Sequence, residues 1–317
     1  MGRILITGGA GFIGHNTALM ALKLGHEVHI LDDLSTGSKS NVELVKSNGG
    51  VFHLADVRDA EKLDFCMNGM DSIIHLAAQV SVPASFEDSE SNWDINVNGT
   101  ANVLRSAEKA SVNRVVIASS AAVYGLCEEM PLKESSAGDL RSPYAESKME
   151  NEAQVGEART NGMEAIAFRF FNVYGPRQNP NGAYAAVISK FISLLENRQA
   201  PTIFGDGGQT RDFVHVDDVS KILLKSVEMQ WTPEIKIAYN VATQTNISLL
   251  DLLGLMYANL EKLGVDINQI QPKFSEERKG DIRHSFASIE STVRDLSWEP
   301  NVSLETGLKA LMKQNGE

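Results

Sequence analysis

Short runs rich in Ile, Val and Leu alternate with longer mixed stretches through the first half of the chain. The runs cover residues 3–7, 27–32, 51–55, 72–77 and 114–119. They lack strict in–out alternation, which is the pattern of parallel strands buried on both faces. The stretches between them are long enough for crossover helices. The pattern therefore predicts βα units wound right-handedly into a doubly wound parallel sheet. A sixth run, 164–171, continues the series. Beyond it the pattern changes. Residues 175–183 (GPRQNPNGA) read as turns, 184–197 as helix and 205–210 (GDGGQT) as a loop. Helices are predicted over 216–229 and 248–263, and a returning strand over 236–241. No internal repeat or low-complexity tract is found. The plan is an α/β fold with a larger doubly wound core and a smaller C-terminal α/β domain.

Length agrees with that plan. At roughly 100–200 residues per domain, 317 residues suggest two domains or one large unit with an elaboration. Hydrophobic residues make up 43% and charged residues 22%, which excludes a disordered or fibrous chain. The formal charge is −12 and no basic block interrupts it. Such a chain is a poor binder of nucleic acid or anionic membrane, although local arginines and backbone amides can still hold a small anion. Cys66 and Cys127 fit neither a disulfide framework nor a metal spacing, so a reducing, cytoplasmic setting is expected. The seven histidines form no HxxxH or HxH pair, and no metal site is predicted. Residues 4–22 are uncharged, but four glycines, two threonines and Asn16 break up any apolar run. They are read as neither a signal peptide nor a span.

Those glycines carry the first chemistry. Residues 4–14 read ILITGGAGFIG, with Gly8, Gly11 and Gly14 between a predicted strand and a predicted helix. The GxxGxxG spacing lets the backbone turn tightly and approach a pyrophosphate, with helix-start amides facing its oxygens. The second strand ends in Asp32, 24 residues after Gly8, where a carboxylate can accept from both hydroxyls of an adenosine ribose. A carboxylate there repels a 2′-phosphate, so NAD is favoured over NADP. Asp56 and Val57, after the third strand, can face an adenine. Leu76, Ala77 and Ala78, after the fourth, leave a cofactor room to pass.

Tyr144 and Lys148 stand four apart in SPYAESKMENE, on one face of a predicted helix. Pro143 suits its first turn and Ser142 its cap. The lysine ammonium and a nicotinamide cation are expected to lower the tyrosine pKa and make a phenolate base available. The strand RVVIASS ends in Ser119 and Ser120, which places a hydroxyl in the cleft beside a reacting alcohol or ketone.

At this point the chain resembles the extended short-chain dehydrogenase/reductase family, and within it the nucleotide-sugar 4-epimerases. The resemblance rests on TGGAGFIG (7–14), DDLSTG (32–37), HLAA (75–78), NVNGTANVL (96–104), SSAAVYG (119–125), SPYAESK (142–148), RFFNVYGPRQNPNGAYAAVI (169–188), TRDFVHVDD (210–218) and RKGDIRHS (278–285). It implies a Rossmann-type domain over 1–171, rejoined by 214–243, and a nucleotide-sugar-binding domain from 172–213 and 244–317. It implies catalysis by Ser120, Tyr144 and Lys148, with tightly bound NAD. The cofactor would be held by Gly8, Gly11, Phe12, Ile13, Gly14, Asp32, Asp33, Leu34, Ser35, Thr36, Gly37, Asp56, Val57, Leu76, Ala77, Ala78, Asn96, Ser119, Tyr144, Lys148 and Phe171. A UDP-sugar would meet Ser81, Ser120, Tyr144, Asn172, Ala186, Val187, Phe204, Arg211, Arg278, Asp281 and Ser285. A homodimer paired through helices containing 95–110 and 143–160 is also implied.

The residues after Ser120 discriminate between branches of that family. The 4,6-dehydratases carry Asp-Glu there, and the UDP-glucuronate decarboxylases carry a glutamate at the second position. Here both are alanine, Ala121 and Ala122, which transfer no protons. A 4-epimerase needs no acid or base beyond the tyrosine. The resemblance also implies that Ser285 faces the sugar C2 substituent, where a small side chain leaves room for an N-acetyl group, so UDP-N-acetylglucosamine and UDP-N-acetylgalactosamine join UDP-glucose and UDP-galactose as expected substrates. Where UDP-glucuronate 4-epimerases tend to carry a basic residue after GPRQ, this chain has Asn179. The alternatives are that epimerase, a dehydratase or decarboxylase, and a catalytically silent NAD-binding scaffold.

Overall fold

The structure is a computed structural model that describes residues 1–180, 187–277 and 282–314. Its centre is a seven-stranded parallel sheet. The strands are β1 (Arg3–Thr7), β2 (Glu27–Asp32), β3 (Val51–Leu54), β4 (Ser72–His75), β5 (Arg114–Ser120), β6 (Glu164–Phe170) and β11 (Ala238–Val241). They lie in the order β11-β6-β5-β4-β1-β2-β3. The chain winds outward from β1 to β3, crosses back to β4 beside β1, and winds outward the other way. That reversal between β1 and β4 opens a crevice at the strands' carboxyl ends, where doubly wound folds bind ligands.

Helices α1 (Phe12–Lys23) and α9 (Val216–Glu228) pack on one face over Ile4, Ile6, Ile30, Val116 and Phe168. Helices α3 (Ala60–Met67), α6 (Gly99–Lys109) and α7 (Pro143–Thr160) cover Leu5, Leu31, Ile73, Val115 and Ile117 on the other. Central strands therefore bury both faces, as their unalternating sequences predict. The edge strand β3 exposes Val51 and Leu54 because nothing pairs beyond it in the sheet. Helix α2 (Lys39–Ser47) and the short helices α4 (Val82–Glu87) and α5 (Ser89–Trp93) complete this part.

Most of the remaining elements gather around a second core of Tyr174, Phe191, Ile203, Phe213, Leu252, Met256 and Leu308, while the segment Glu290–Leu296 packs against β11 of the central sheet. Strand β7 (Asn172–Tyr174) pairs with β10 (Phe213–His215), and β8 (Thr202–Phe204) with β13 (Lys273–Ser275). Strand β9 (Thr210–Arg211) lies between β12 (Ile247–Ser248) and β14 (His284–Ser285). Helices α8 (Val187–Glu196), α10 (Leu249–Lys262), α11 (Glu290–Leu296) and α12 (Leu304–Gln314) complete the chain. The expected helix over 184–197 is seen from Val187; its first three residues lie outside the described residues. Among the described residues no helix is long and apolar enough to cross a membrane.

Candidate active site

The glycine loop shows why side chains are excluded. Gly8 has φ +66°, and a Cβ there would sit 2.7 Å from the Ala77 amide nitrogen. A Cβ on Gly14 would overlap the Gly8 carbonyl oxygen and lie 2.8 Å from the Gly9 Cα. Helix α1 thus starts directly against the turn. Its cap residue, Gly11, offers no side-chain bond to the first amides, which leaves helix-start amides at the crevice. Phe12 and Ile13 form the first turn of that helix.

Asp32 ends β2 and is buried. One carboxylate oxygen accepts from the Ala10 amide at 2.9 Å and the other from the Leu34 amide at 2.8 Å. Burial pushes its pKa up, opposed by these backbone bonds. A Cβ on Gly37 would fall 2.5 Å from the same carboxylate, so Gly37 is small because Asp32 lies against it. Leu34 packs on the core, Ser35 donates to the Asp33 carboxylate, and Thr36 is exposed. Asp56 is locked to Arg58 through both carboxylate oxygens, which holds its pKa down, and Val57 is buried against Gly99. Ala77 donates its amide to the Thr7 hydroxyl at 3.3 Å, and the Leu76 amide donates to the Thr7 carbonyl. The loop from Leu76 through Ala78 is then pinned by Asn96, which bonds both the amide and the carbonyl of Gln79. The cradle with no room for a Cβ, followed by a buried acid ending β2, fits a dinucleotide.

Tyr144 and Lys148 lie on α7, which starts where Ser142 accepts from the Ala145 amide and Ser85 accepts from the Tyr144 amide. Both side chains are buried. The Lys148 ammonium donates to the Ala118 carbonyl at 3.0 Å and lies 5.9 Å from the centre of the Tyr144 ring. Burial pulls the Lys148 pKa down to about 8. Burial also pushes the Tyr144 pKa up, and the neighbouring Ser120 hydroxyl pulls the other way. Among the protein's own groups, desolvation of the tyrosine therefore outweighs its polar neighbours; the lowering expected from the sequence also draws on a nicotinamide cation. Ser120 also accepts from the Ala122 amide at 3.1 Å. Ala121 and Ala122 begin a short 3₁₀ turn directly after it.

Other expected residues are placed less directly. The Ser119 hydroxyl is committed to Glu152 at 2.5 Å. The Ser81 hydroxyl caps α4 through the Ala84 amide. The Phe171 ring packs in a core with Tyr124, Leu132 and Ala287, so any cofactor contact there falls to its backbone. Asn172 donates its amide to the Asp212 carbonyl at 3.1 Å. Val187 opens α8 and Phe204 ends β8, both half-buried. Arg211 donates to the Ile282 carbonyl, and its register partner across β9–β14 is Ser285. Two positions 74 residues apart in sequence are thus side by side. Ala186, Arg278 and Asp281 lie outside the described residues.

Sequence reasoning missed the buried polar frame. Asp212 is fully buried and accepts from Thr243 through both amide and hydroxyl, at 2.7 and 2.6 Å, tying β9–β10 to the residues after β11. His75 sits between the Thr7 and Thr100 hydroxyls, its pKa pushed down to about 3 by burial and Lys148. Glu152 and Arg169 form a buried ion pair. An arginine within the apolar run AIAFRFF was a signal for such a partner.

A doubly wound parallel sheet, a glycine cradle with no room for a Cβ and a buried acid ending β2 define a dinucleotide-binding α/β protein. The chain belongs to the NAD dependent epimerase/dehydratase family, which matches residues 4–242. It is similar to the UDP-glucose 4-epimerase of Mycolicibacterium smegmatis, with 33% identity across 96% of each chain. A solved UDP-N-acetylglucosamine 4-epimerase from Methanobrevibacter ruminantium superposes with a TM-score of 0.91, at 33% identity over 98% of this chain and 97% of that one. The UDP-glucose-4-epimerase from Stenotrophomonas maltophila, solved with bound NAD, gives 0.91 at 26% identity over 100% and 98%. Relatives at 29% and 30% identity also include a UDP-glucuronate 4-epimerase and a UDP-N-acetyl-alpha-D-glucosaminuronate decarboxylase. NAD is the cofactor of the family.

Proposed function

We propose that this chain is an NAD-dependent UDP-hexose 4-epimerase acting on UDP-N-acetylglucosamine and UDP-N-acetylgalactosamine as well as UDP-glucose and UDP-galactose. The observation that carries the reading is the Ser120–Tyr144–Lys148 group followed by Ala121 and Ala122. It supplies one base and no further acid, which suits reversible oxidation at C4 and not elimination or decarboxylation. NAD, when bound, supplies a reversible hydride acceptor facing C4.

The chain's own residues do the rest. Tyr144 takes the proton of the 4-hydroxyl and later returns it. Lys148, cationic below about pH 8, sits behind the tyrosine and favours its ionised form. Ser120 donates to the oxygen at C4 as it gains carbonyl character. Asp32 takes the ribose hydroxyls of the dinucleotide, and the amides at the start of α1 meet its pyrophosphate. Asn172, Arg211 and Ser285 stand on β7, β9 and β14 at the nucleotide-sugar side, with the arginine fork suited to a diphosphate. The side-by-side register of Arg211 and Ser285 supports reading Ser285 as the neighbour of the sugar. On this reading residues 1–171 with 214–243 bind the dinucleotide, the remainder binds the nucleotide sugar, and α6 and α7 pair two copies into a dimer.

Incubating the purified protein separately with UDP-glucose and UDP-N-acetylglucosamine, followed by NMR, tests the reading. Appearance of the C4 epimer without added NAD supports it. Release of water or carbon dioxide, or no conversion even with NAD supplied, overturns it.

A further inference from the structure

The epimerase reading uses Tyr144 and Lys148 but leaves unexplained the buried acid one turn further along the same helix. Tyr144, Lys148 and Glu152 follow at intervals of four, on one face of α7. Each meets one of three consecutive residues at the end of β5. Tyr144 neighbours Ser120, Lys148 donates to the Ala118 carbonyl, and Glu152 accepts from the Ser119 hydroxyl. Glu152 is itself held from behind. Arg169, on the neighbouring strand β6, donates to both of its carboxylate oxygens, at 2.8 and 2.7 Å. The arginine is fixed in turn by the Tyr124 hydroxyl and the Glu134 carbonyl.

A buried ion pair is weak ground for a stability argument, because desolvation cancels much of the attraction. Its geometry here argues for another use. A helix packed on a sheet by apolar contacts alone can slide by fractions of an ångström at little cost. A charged hydrogen bond with the partner fixed in the sheet cannot. Ser119 and Ser120 are adjacent, so a grip on the first fixes the second.

We propose, on the basis of the epimerase reading, that Glu152 is a positioning residue. Held by Arg169, it grips Ser119 and sets the height of α7 against β5, so that Tyr144 and Lys148 meet Ser120 and the Ala118 carbonyl in register.

The test compares the NAD-loaded wild type with Ser119→Ala, Ser119→Thr and Glu152→Asp. The aspartate keeps the charge for Arg169 but shortens the reach to Ser119, so it separates placement from folding. Displacements on the scale of 1 Å cost up to about a hundredfold in rate, and kcat of Ser119→Ala and Glu152→Asp is expected to fall by about ten- to a hundredfold. KM is expected to stay within about twofold, because a misplaced base acts on the transition state and not on ground-state binding. Ser119→Thr, which keeps the hydroxyl, restores most of the rate. A readout independent of turnover is the titration of Lys148, followed by NMR of labelled lysine. It moves upward in Ser119→Ala as α7 loosens and water reaches the ammonium, whose titratable neighbours are Tyr144 on α7 and His75 on β4. Wild-type kcat in Ser119→Ala overturns the proposal, as does an unmoved Lys148 titration or a loss in melting temperature with no kcat change. A wild type that epimerises nothing refutes the epimerase reading instead, and the lysine titration then still decides the positioning role.

Discussion

Replacing Lys148 by Met separates what the lysine costs the fold from what it does in the site. Its ammonium is buried, and its pKa falls from 10.5 to about 8. Each tenfold in proton affinity is worth about 1.4 kcal/mol, so keeping the lysine charged below its folded pKa costs the native state about 3 kcal/mol. The sign follows from proton counting. Between pH 8 and 10.5 the unfolded chain binds more protons at this position than the folded one, so stability rises with pH across that window. Above it the penalty is gone; below it the penalty is full and constant. Methionine has no such dependence. It loses the bond to the Ala118 carbonyl, at a cost of about 1–3 kcal/mol that does not change with pH. The difference in unfolding free energy, wild type minus Lys148→Met, is therefore expected to increase by about 3 kcal/mol between about pH 7 and pH 10.5. Urea unfolding of both proteins at matched nucleotide content across that range measures it. A difference that stays flat with pH would show the lysine to be solvated, and the electrostatic picture of the site would fail. Activity is lost in the variant at every pH.

Three further outcomes follow from the same geometry. Gly14→Ala forces a Cβ onto the Gly8 carbonyl and within 2.8 Å of the Gly9 Cα, so the purified variant is expected to carry far less NAD per chain than wild type; an unchanged ratio would refute the cradle. Asp32→Ser removes the acceptor for the ribose hydroxyls, and NAD affinity measured by calorimetry is expected to fall at least about tenfold, as for loss of a charged hydrogen bond, while NADP gains. Ser285→Tyr narrows the space beside Arg211, and kcat/KM for UDP-N-acetylglucosamine is expected to fall more than about tenfold with UDP-glucose within about threefold; equal losses would remove Ser285 from sugar selection.

The doubly wound core was legible because its strands are buried on both faces, and burial writes itself into sequence as uninterrupted Val, Ile and Leu. The glycine loop and the Tyr144–Lys148 pair were legible because their geometry is local, set by one turn and one helical repeat. What stayed hidden depends on contacts distant along the chain. Ser285 reaches Arg211 only through pairing of β14 with β9, and Asp212, between β9 and β10, reaches Thr243 just after β11. Nothing in SPYAESKMENE marks Glu152 as buried; its burial rests on Arg169, which lies beyond the helix on β6. The extent of desolvation at Tyr144 was hidden for a related reason: nearby charges can be read from spacing, but burial cannot.

An epimerase of this kind oxidises C4 reversibly and returns the same hydrogen to the other face. This is tested most directly with UDP-N-acetylglucosamine carrying deuterium at C4, incubated with the enzyme in ordinary water and followed by mass spectrometry and NMR. The expected product is the C4 epimer with its deuterium retained at C4 and no exchange at C5. Loss of the label to solvent, or exchange at C5, would contradict it and point to a proton-transfer route for which Ala121 and Ala122 provide no groups.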